Sequence, residues 1–177
     1  METNMKFIET MLHYFQGEKM EALVFILPIG LLCLVFGGWL LSEGHPGFAK
    51  GVAIPFIVMG LLIAVIGGTV GFRTPAQTSH IQQSYKADPA ETVKSEIVRM
   101  EKVNQAWRWY LAIWVIFAIL GLGLRLFTTS DFLRGLGIAL VFFAGVGLMI
   151  DGFADRRAQI YSKVIGEESF LKVDISR

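Results

Sequence analysis

Four charged residues in a short stretch, Asp151, Asp155, Arg156 and Arg157, are the best candidates for acid–base or ion-coupled chemistry. A carboxylate deep in a membrane can relay a proton or bind an ion, whereas one at the membrane edge pairs with a neighbouring arginine. Asp151 directly follows an apolar run, at its edge. The four are therefore expected to form an interfacial ion pair, with a proton-linked role as the alternative. The histidines offer less. His13, His45 and His80 fall in three separate segments and none lies in the middle of an apolar run, so a shared metal or a haem ligand pair is not expected. The single cysteine, Cys33, excludes an intramolecular disulfide, a CxxC redox site and a cysteine zinc cluster. Among leucines it reads as a small hydrophobe used in packing. The chain contains no nucleophile elbow, zinc-protease helix or nucleotide-binding loop. No catalytic residue, metal site or cofactor is expected, and an enzyme is the least favoured class.

The elements that must position these residues are membrane spans. The 177-residue chain is 54% hydrophobic with a mean hydropathy of +0.55, too apolar for a soluble domain of this size. About 20 residues rising 1.5 Å each cross a hydrocarbon core of about 30 Å. Residues 22–41, 52–72, 110–127 and 132–150 are apolar enough to do so. Lipid supplies no hydrogen bonds to the backbone, so runs without alternating polarity must be helical. The fold class is all-α, a polytopic membrane protein whose first span is read as retained rather than as a removable signal. Net charge is +1 with no basic stripe, which argues against nucleic acid as a partner.

Lys and Arg set the expected orientation. With both termini on one side, that side carries thirteen of the sixteen, and the two short turns carry Lys50, Arg125 and Arg134. Cationic residues stay on the cytoplasmic face. The termini and the central connection are thus expected in the cytoplasm, and a bacterial chain would occupy the inner membrane. Trp39, Trp107, Arg108, Trp109 and Tyr110 read as headgroup anchors, and Arg125 as a residue that snorkels.

Laid against itself without a gap, the chain aligns 22–73 with 106–157 at eleven identities, among them Gly37 with Gly121, Phe48 with Phe132, Gly51 with Gly135 and Arg73 with Arg157. This predicts two helical hairpins of the same topology, a parallel repeat, packed as a four-helix bundle. Close packing in lipid relies on small residues. Gly60, Ala64 and Gly68 in the second span, with Gly135 and Ala139 in the fourth, are expected at helix contacts inside the bundle or, alternatively, between subunits.

Outside the spans, Asp88 reads as an N-cap with Pro89 at the first helical position and Glu91 in the first turn. Val93, Ile97, Met100, Asn104 and Trp107 recur at spacings of four and three, a seam that continues into the third span. Ala154, Ala158, Tyr161 and Ile165 share a face beyond the fourth, so the two extensions are expected to pack as a stalk that Gly166 ends. Phe7, Ile8, Met11, Leu12 and Phe15 line one side of an N-terminal helix expected to lie flat in the headgroups, with Gly17 separating it from the first span. The final residues alternate like a short strand or docking tail. The chain thus divides into an interfacial helix (1–20), a first hairpin (21–73), a cytoplasmic connection (74–105), a second hairpin (106–153) and a cytoplasmic helix with tail (154–177).

The favoured function is a non-enzymatic membrane scaffold or protective, immunity-type protein that binds a protein partner through its cytoplasmic helices. The alternative is a homo-oligomeric channel or small transporter with a pathway along the glycine faces. The orientation makes a direct prediction. In intact cells, a cysteine replacing His45 or Ser130 should react with an impermeant thiol reagent, and one replacing Lys86 only after permeabilisation. Labelling at 86 from outside would reverse the topology.

Overall fold

The computed structural model describes the backbone of residues 2–43 and 47–175 and the side chains of 6–43 and 47–167, so His45 lies outside the described residues. Every described element is helical. Helix α1 (Glu2–Glu21) passes through a π-helical stretch (Ala22–Ile26) into α2 (Leu27–Ser42), followed by α3 (Phe48–Ala87), α4 (Pro89–Phe127) and α5 (Asp131–Ile175). Four helices are long and apolar enough to cross a membrane. At 1.5 Å per residue, the 40 residues of α3 extend about 60 Å, twice the hydrocarbon thickness. Each helix therefore overshoots the bilayer on the side of the termini and the α3–α4 connection, and the overshoots build a second body there, called the polar end below.

Local chemistry explains the turns. Asp88 Oδ1 accepts from the backbone N–H of Ala90 and of Glu91, both at 3.0 Å, which starts α4 as its capping position requires. Gly47 enters α3 with φ of 55°, a conformation that favours glycine. Between α4 and α5, Arg134 Nε donates to Thr128 O at 2.9 Å and Thr128 Oγ1 accepts from Ser130 N at 3.2 Å.

The polar end holds a core of soluble-protein type. Phe7, Met11 and Phe15 from α1, Ile81 and Tyr85 from α3, Val93 and Met100 from α4, and Ala158, Tyr161 and Ile165 from α5 are all buried in it. Phe7 stacks on Tyr85 at 4.5 Å between ring centroids, and Tyr14 on Tyr161 at 4.8 Å. The expected two-helix stalk is thus a four-helix bundle. The flat interfacial helix is corrected in the same way: α1 runs unbroken through Gly17, and its apolar face packs on protein. A mid-helix glycine costs only about 1 kcal/mol relative to alanine, which this core outweighs. Likewise α3 continues past Phe72 and through Pro75, and α5 continues through Gly166 in place of the expected strand or tail.

In the apolar half the arrangement differs from a closed bundle. Packing runs from α2 to α3, from α3 to α5 and from α5 to α4, so α2 and α4 flank a central α3–α5 pair. Glycines make each contact close. A Cβ built on Gly60 would lie 2.9 Å from Gly30 O and from Cys33 Cβ, so Gly60 and Ala64 serve the α2–α3 contact. At the α3–α5 crossing, a Cβ on Gly51 would lie 3.0 Å from Leu136 N, and one on Gly135 would lie 3.1 Å from Val52 N. Ala139 is fully buried beside Phe56 and Phe143. Gly68 departs from expectation, since a Cβ there would meet only Phe72 at 4.0 Å. The reason is helical pitch: residues four apart drift by about 40° per step at 3.6 per turn. The seam accordingly runs Gly60, Ala64, Gly67, Gly71, all buried.

This separation gives a paired prediction. Gly60→Leu should lower detergent stability by about 1 to 3 kcal/mol or abolish folding through overpacking, while Gly68→Leu should stay within about 0.5 kcal/mol of the native chain. Thermal unfolding of the two variants checks this, and the reverse order would place the seam on the wrong face.

Candidate functional site

The polar-end core contains a group of charged and phenolic side chains where apolar ones would be expected. Glu96 is 5% exposed. It stands three residues after Val93 and four before Met100, on the same seam, and so points inward with them. Arg99, one turn on, donates to it through Nε at 3.0 and 3.1 Å and through a terminal nitrogen at 2.8 Å. Tyr161 on α5 donates its hydroxyl to the same carboxylate at 3.0 Å. The guanidinium of Arg99 also lies over the rings of Tyr14 and Phe15 on α1, at 5.8 and 5.2 Å from their centroids. One carboxylate thereby connects α1, α4 and α5.

Toward the membrane the network continues. Glu18 on α1 faces Arg73 on α3 at 3.7 Å, and Glu21 forms a close ion pair with Arg157 on α5. Three acids and three arginines are thus distributed over all four helices. The electrostatics follow from burial. Loss of water raises the Glu18 carboxyl above its ordinary range, partly offset by the positive charges of Arg73, Arg99 and Arg157. Burial raises Tyr14 as well, reinforced by the Glu18 charge. For Tyr161, burial comes first and the adjacent, hydrogen-bonded Glu96 adds to it, so the phenol stays protonated and can donate. Burial alone would weaken the hold of Arg99 on its proton, but its hydrogen bonds and ion pair with Glu96 outweigh that effect, and the group remains charged. A charge-balanced network of this kind holds helices in register, and within it Arg157 Nε is buried without a partner.

The predicted seam faces this core. Val93 and Met100 are buried, and Ile97 and Trp107 pack against them. Asn104 donates from Nδ2 to Ser162 Oγ at 2.9 Å. The four charges expected to form one ion pair are separated instead. Arg157 turns to Glu21 on α1. Asp151 accepts from the indole nitrogen of Trp114 at 2.5 Å, and Asp155 accepts from Gln159 Nε2 at 2.7 Å. On a helix, Asp151 and Arg157 lie on different faces, which explains why adjacency in sequence misleads. His13 and His80 are exposed on different helices. Glu96, Arg99, Glu18, Glu21 and Tyr14 are not anticipated from sequence. A carboxylate inside an apolar seam is the signal for Glu96, and its i, i+3 spacing is the signal for Arg99. Comparison with known protein families, with curated proteins and with solved structures finds no match to this chain.

Two outcomes test the network. Glu96→Gln leaves Arg99 facing a neutral partner, and breaking a buried pair costs about 3 to 5 kcal/mol. The lower end is expected here because Arg99 keeps 29% side-chain exposure, and chemical denaturation in detergent reads it. The Glu18 carboxyl has a higher pKa folded than unfolded, so it favours folding below the ordinary glutamate range and opposes folding as pH rises through it. The melting temperature of Glu18→Gln relative to the native chain should therefore climb as pH rises above the ordinary glutamate pKa of about 4.3. A pH-independent difference would remove Glu18 from the desolvated core.

Proposed function

We propose that the chain is a non-enzymatic membrane scaffold whose row of spans anchors a rigid helical stalk for a protein partner. The carrying observation is that the four helices of the stalk are the spans themselves, continued without linkers past the membrane into one buried core. A stalk built in this way holds a fixed position and tilt relative to the bilayer. A buried charge network at its base favours one helix register over alternatives. Protection against a membrane-acting agent and support of a neighbouring complex both use such a platform. In this reading the stalk and both termini lie in the cytoplasm and the spans in a bacterial inner membrane, on the strength of the Lys and Arg distribution.

The reading includes an internal duplication. Gly37 approaches Ala53 O at 3.0 Å and Ile57, while Gly121 approaches Gly137 O at 2.6 Å and Val141, distances again measured from an added Cβ. The alignment of 22–73 with 106–157 carries each residue of the first set onto its counterpart in the second. Gly51 against Phe132 and Leu136, and Gly135 against Phe48 and Val52, are one contact exchanged by the same alignment. Two hairpins related by an approximate two-fold axis along the membrane normal account for both coincidences. Of the positions on which a channel between subunits would rely, Gly60, Ala64, Gly135 and Ala139 are occupied by contacts within the chain and Gly68 is open; the four occupied positions favour the scaffold over a homo-oligomeric pathway.

The test combines two measurements. Purified protein in planar bilayers should show no unitary conductance at any protein-to-lipid ratio. A photocrosslinker at Val98 or Ile160, which are 46% and 58% exposed, should capture one discrete protein in cells, and Glu96→Gln should weaken that capture. Reproducible unitary currents altered by substitutions in the spans would overturn the scaffold reading in favour of a channel.

A further inference from the structure

The second hairpin is open where the first is closed. In the first, a Cβ on Gly67 would lie 2.6 Å from Leu27 N, and Leu23 covers Gly71, so α2 and α3 meet along their length. In the alignment of the two halves, Gly67 and Gly71 become Asp151 and Asp155, Leu23 becomes Trp107 and Gly30 becomes Trp114. Two carboxylates and two indoles stand where the first half has close helix contact, to backbone at Gly30 and Gly67 and to the Leu23 side chain at Gly71. Trp114 wedges against Gly147, and a cleft of about 320 Å³ opens between α4 and α5, lined by Asn104, Trp107, Arg108, Trp114, Asp151 and Asp155 among others. That volume lies at the lower end of small-ligand sites.

The chemistry of the lining is specific. Asp151 and Asp155 accept only from the neutral donors Trp114 and Gln159, and among the described residues neither carboxylate has a lysine or arginine in ion-pair range. Asn104 Oδ1 is a buried acceptor without a partner. Two carboxylates, a carbonyl oxygen and indole faces are what a primary ammonium seeks, through charged hydrogen bonds and cation–π attraction. The same cleft has unmet donor capacity. Trp107 Nε1–H is buried without a partner, and the adjacent Arg108 is exposed at the mouth. These suit an anionic oxygen group next to the ammonium. The depth also matters, because Asp151 directly follows the fourth apolar run and Trp107 and Arg108 precede the third, which places the cleft at headgroup level.

We infer that the α4–α5 cleft is a binding site for a phosphoethanolamine group, its ammonium held by Asp151, Asp155 and Asn104 and its phosphate by Arg108 and Trp107. The group is presented by an ethanolamine phospholipid from the inner leaflet or arrives free from solution. The register of the proposed duplication identifies the cleft as a departure from the first hairpin, while the cleft itself rests on its own contacts.

The experiment titrates purified protein in detergent with a short-chain phosphatidylethanolamine, the matching phosphatidylcholine and free O-phosphoethanolamine, following melting temperature and tryptophan fluorescence. The ethanolamine lipid should give a saturable shift, with the choline lipid at least about tenfold weaker because methylation removes the ammonium donors, one such charged hydrogen bond being worth about a factor of ten. Asp151→Asn and Asp155→Asn should each weaken binding about tenfold, and the unliganded melting temperature of each separates loss of binding from loss of fold. If Asp151→Asn does not fold, Asp155→Asn carries the test. A response to free phosphoethanolamine equal to that of the lipid supports the site with a soluble source, and a response to the lipid alone assigns the source to the bilayer. Equal binding of ethanolamine and choline lipids, or binding unaffected by a folded Asn variant, overturns the assignment. None of these outcomes depends on whether the stalk has a protein partner.

Discussion

Lipid gives helices no hydrophobic reason to associate, and this constraint divides the molecule in two. Where the helices face hydrocarbon, contact is made by backbones drawn together at glycine, above all at the α3–α5 crossing, where Gly51 and Gly135 each receive the other helix. Where the same helices leave the apolar zone, water returns and burial of Phe7, Phe15, Met100 and Tyr161 drives association as it does in a soluble protein. Because α3, α4 and α5 run through both zones, the two modes of packing must agree in register. The structure depends on that agreement.

The junction between the zones is where polar chemistry gathers. The Glu21–Arg157 pair sits there, immediately before the π-helical stretch Ala22–Ile26, which carries α1 into α2 against Gly67 and Gly71. A π turn inserts an extra residue per turn and lets a helix change the face it presents. Here α1 faces the stalk core with Phe7, Met11 and Phe15, and α2 faces α3 with Gly30, Cys33 and Gly37. On the opposite flank, the cleft beside Asp151 occupies the corresponding depth. At this level the α2–α3 pair closes and the α4–α5 pair remains open.

Much of this is legible in the residues. Hydropathy identifies the four helices apolar enough to cross a membrane, though each runs well past its apolar stretch at the polar end; Asp88 and Pro89 mark the start of α4, and the four-three spacing from Val93 to Trp107 identifies the face that packs. Glycine misleads when it is treated as punctuation. Gly17 lies inside a helix because the core contacts of Phe7, Met11 and Phe15 outweigh a cost of about 1 kcal/mol, and Gly166 likewise does not end α5. Strict four-residue spacing places Gly68 on a seam that pitch assigns to Gly67. The charged network is the least legible part, since Glu18, Glu21, Arg73 and Arg157 meet only through tertiary packing. Sequence adjacency joins Asp151 to Arg157, whereas the fold turns them from α5 to partners on different helices, Trp114 on α4 and Glu21 on α1. The amphipathic pattern of α1 does mark one apolar face, but pattern alone does not distinguish a lipid surface from a protein one.

The central claim is that the spans form a row with α3 and α5 in the middle, from which the exposed flanks, the close glycine contacts and the one-sided cleft all follow. Helices in contact lie about 8 to 10 Å apart, so three successive contacts separate the axes of α2 and α4 by about 24 to 30 Å, whereas a closed four-helix bundle would keep every pair of axes within about 15 Å. Spin labels replacing Val35 on α2 and Ile119 on α4, both facing outward, would measure this by pulsed dipolar spectroscopy in lipid nanodiscs. The interaxial spacing predicts a single distance distribution centred at about 30 Å or more. A distribution centred below about 20 Å at low protein concentration, the range that the same spacing gives for a closed bundle, would contradict the row.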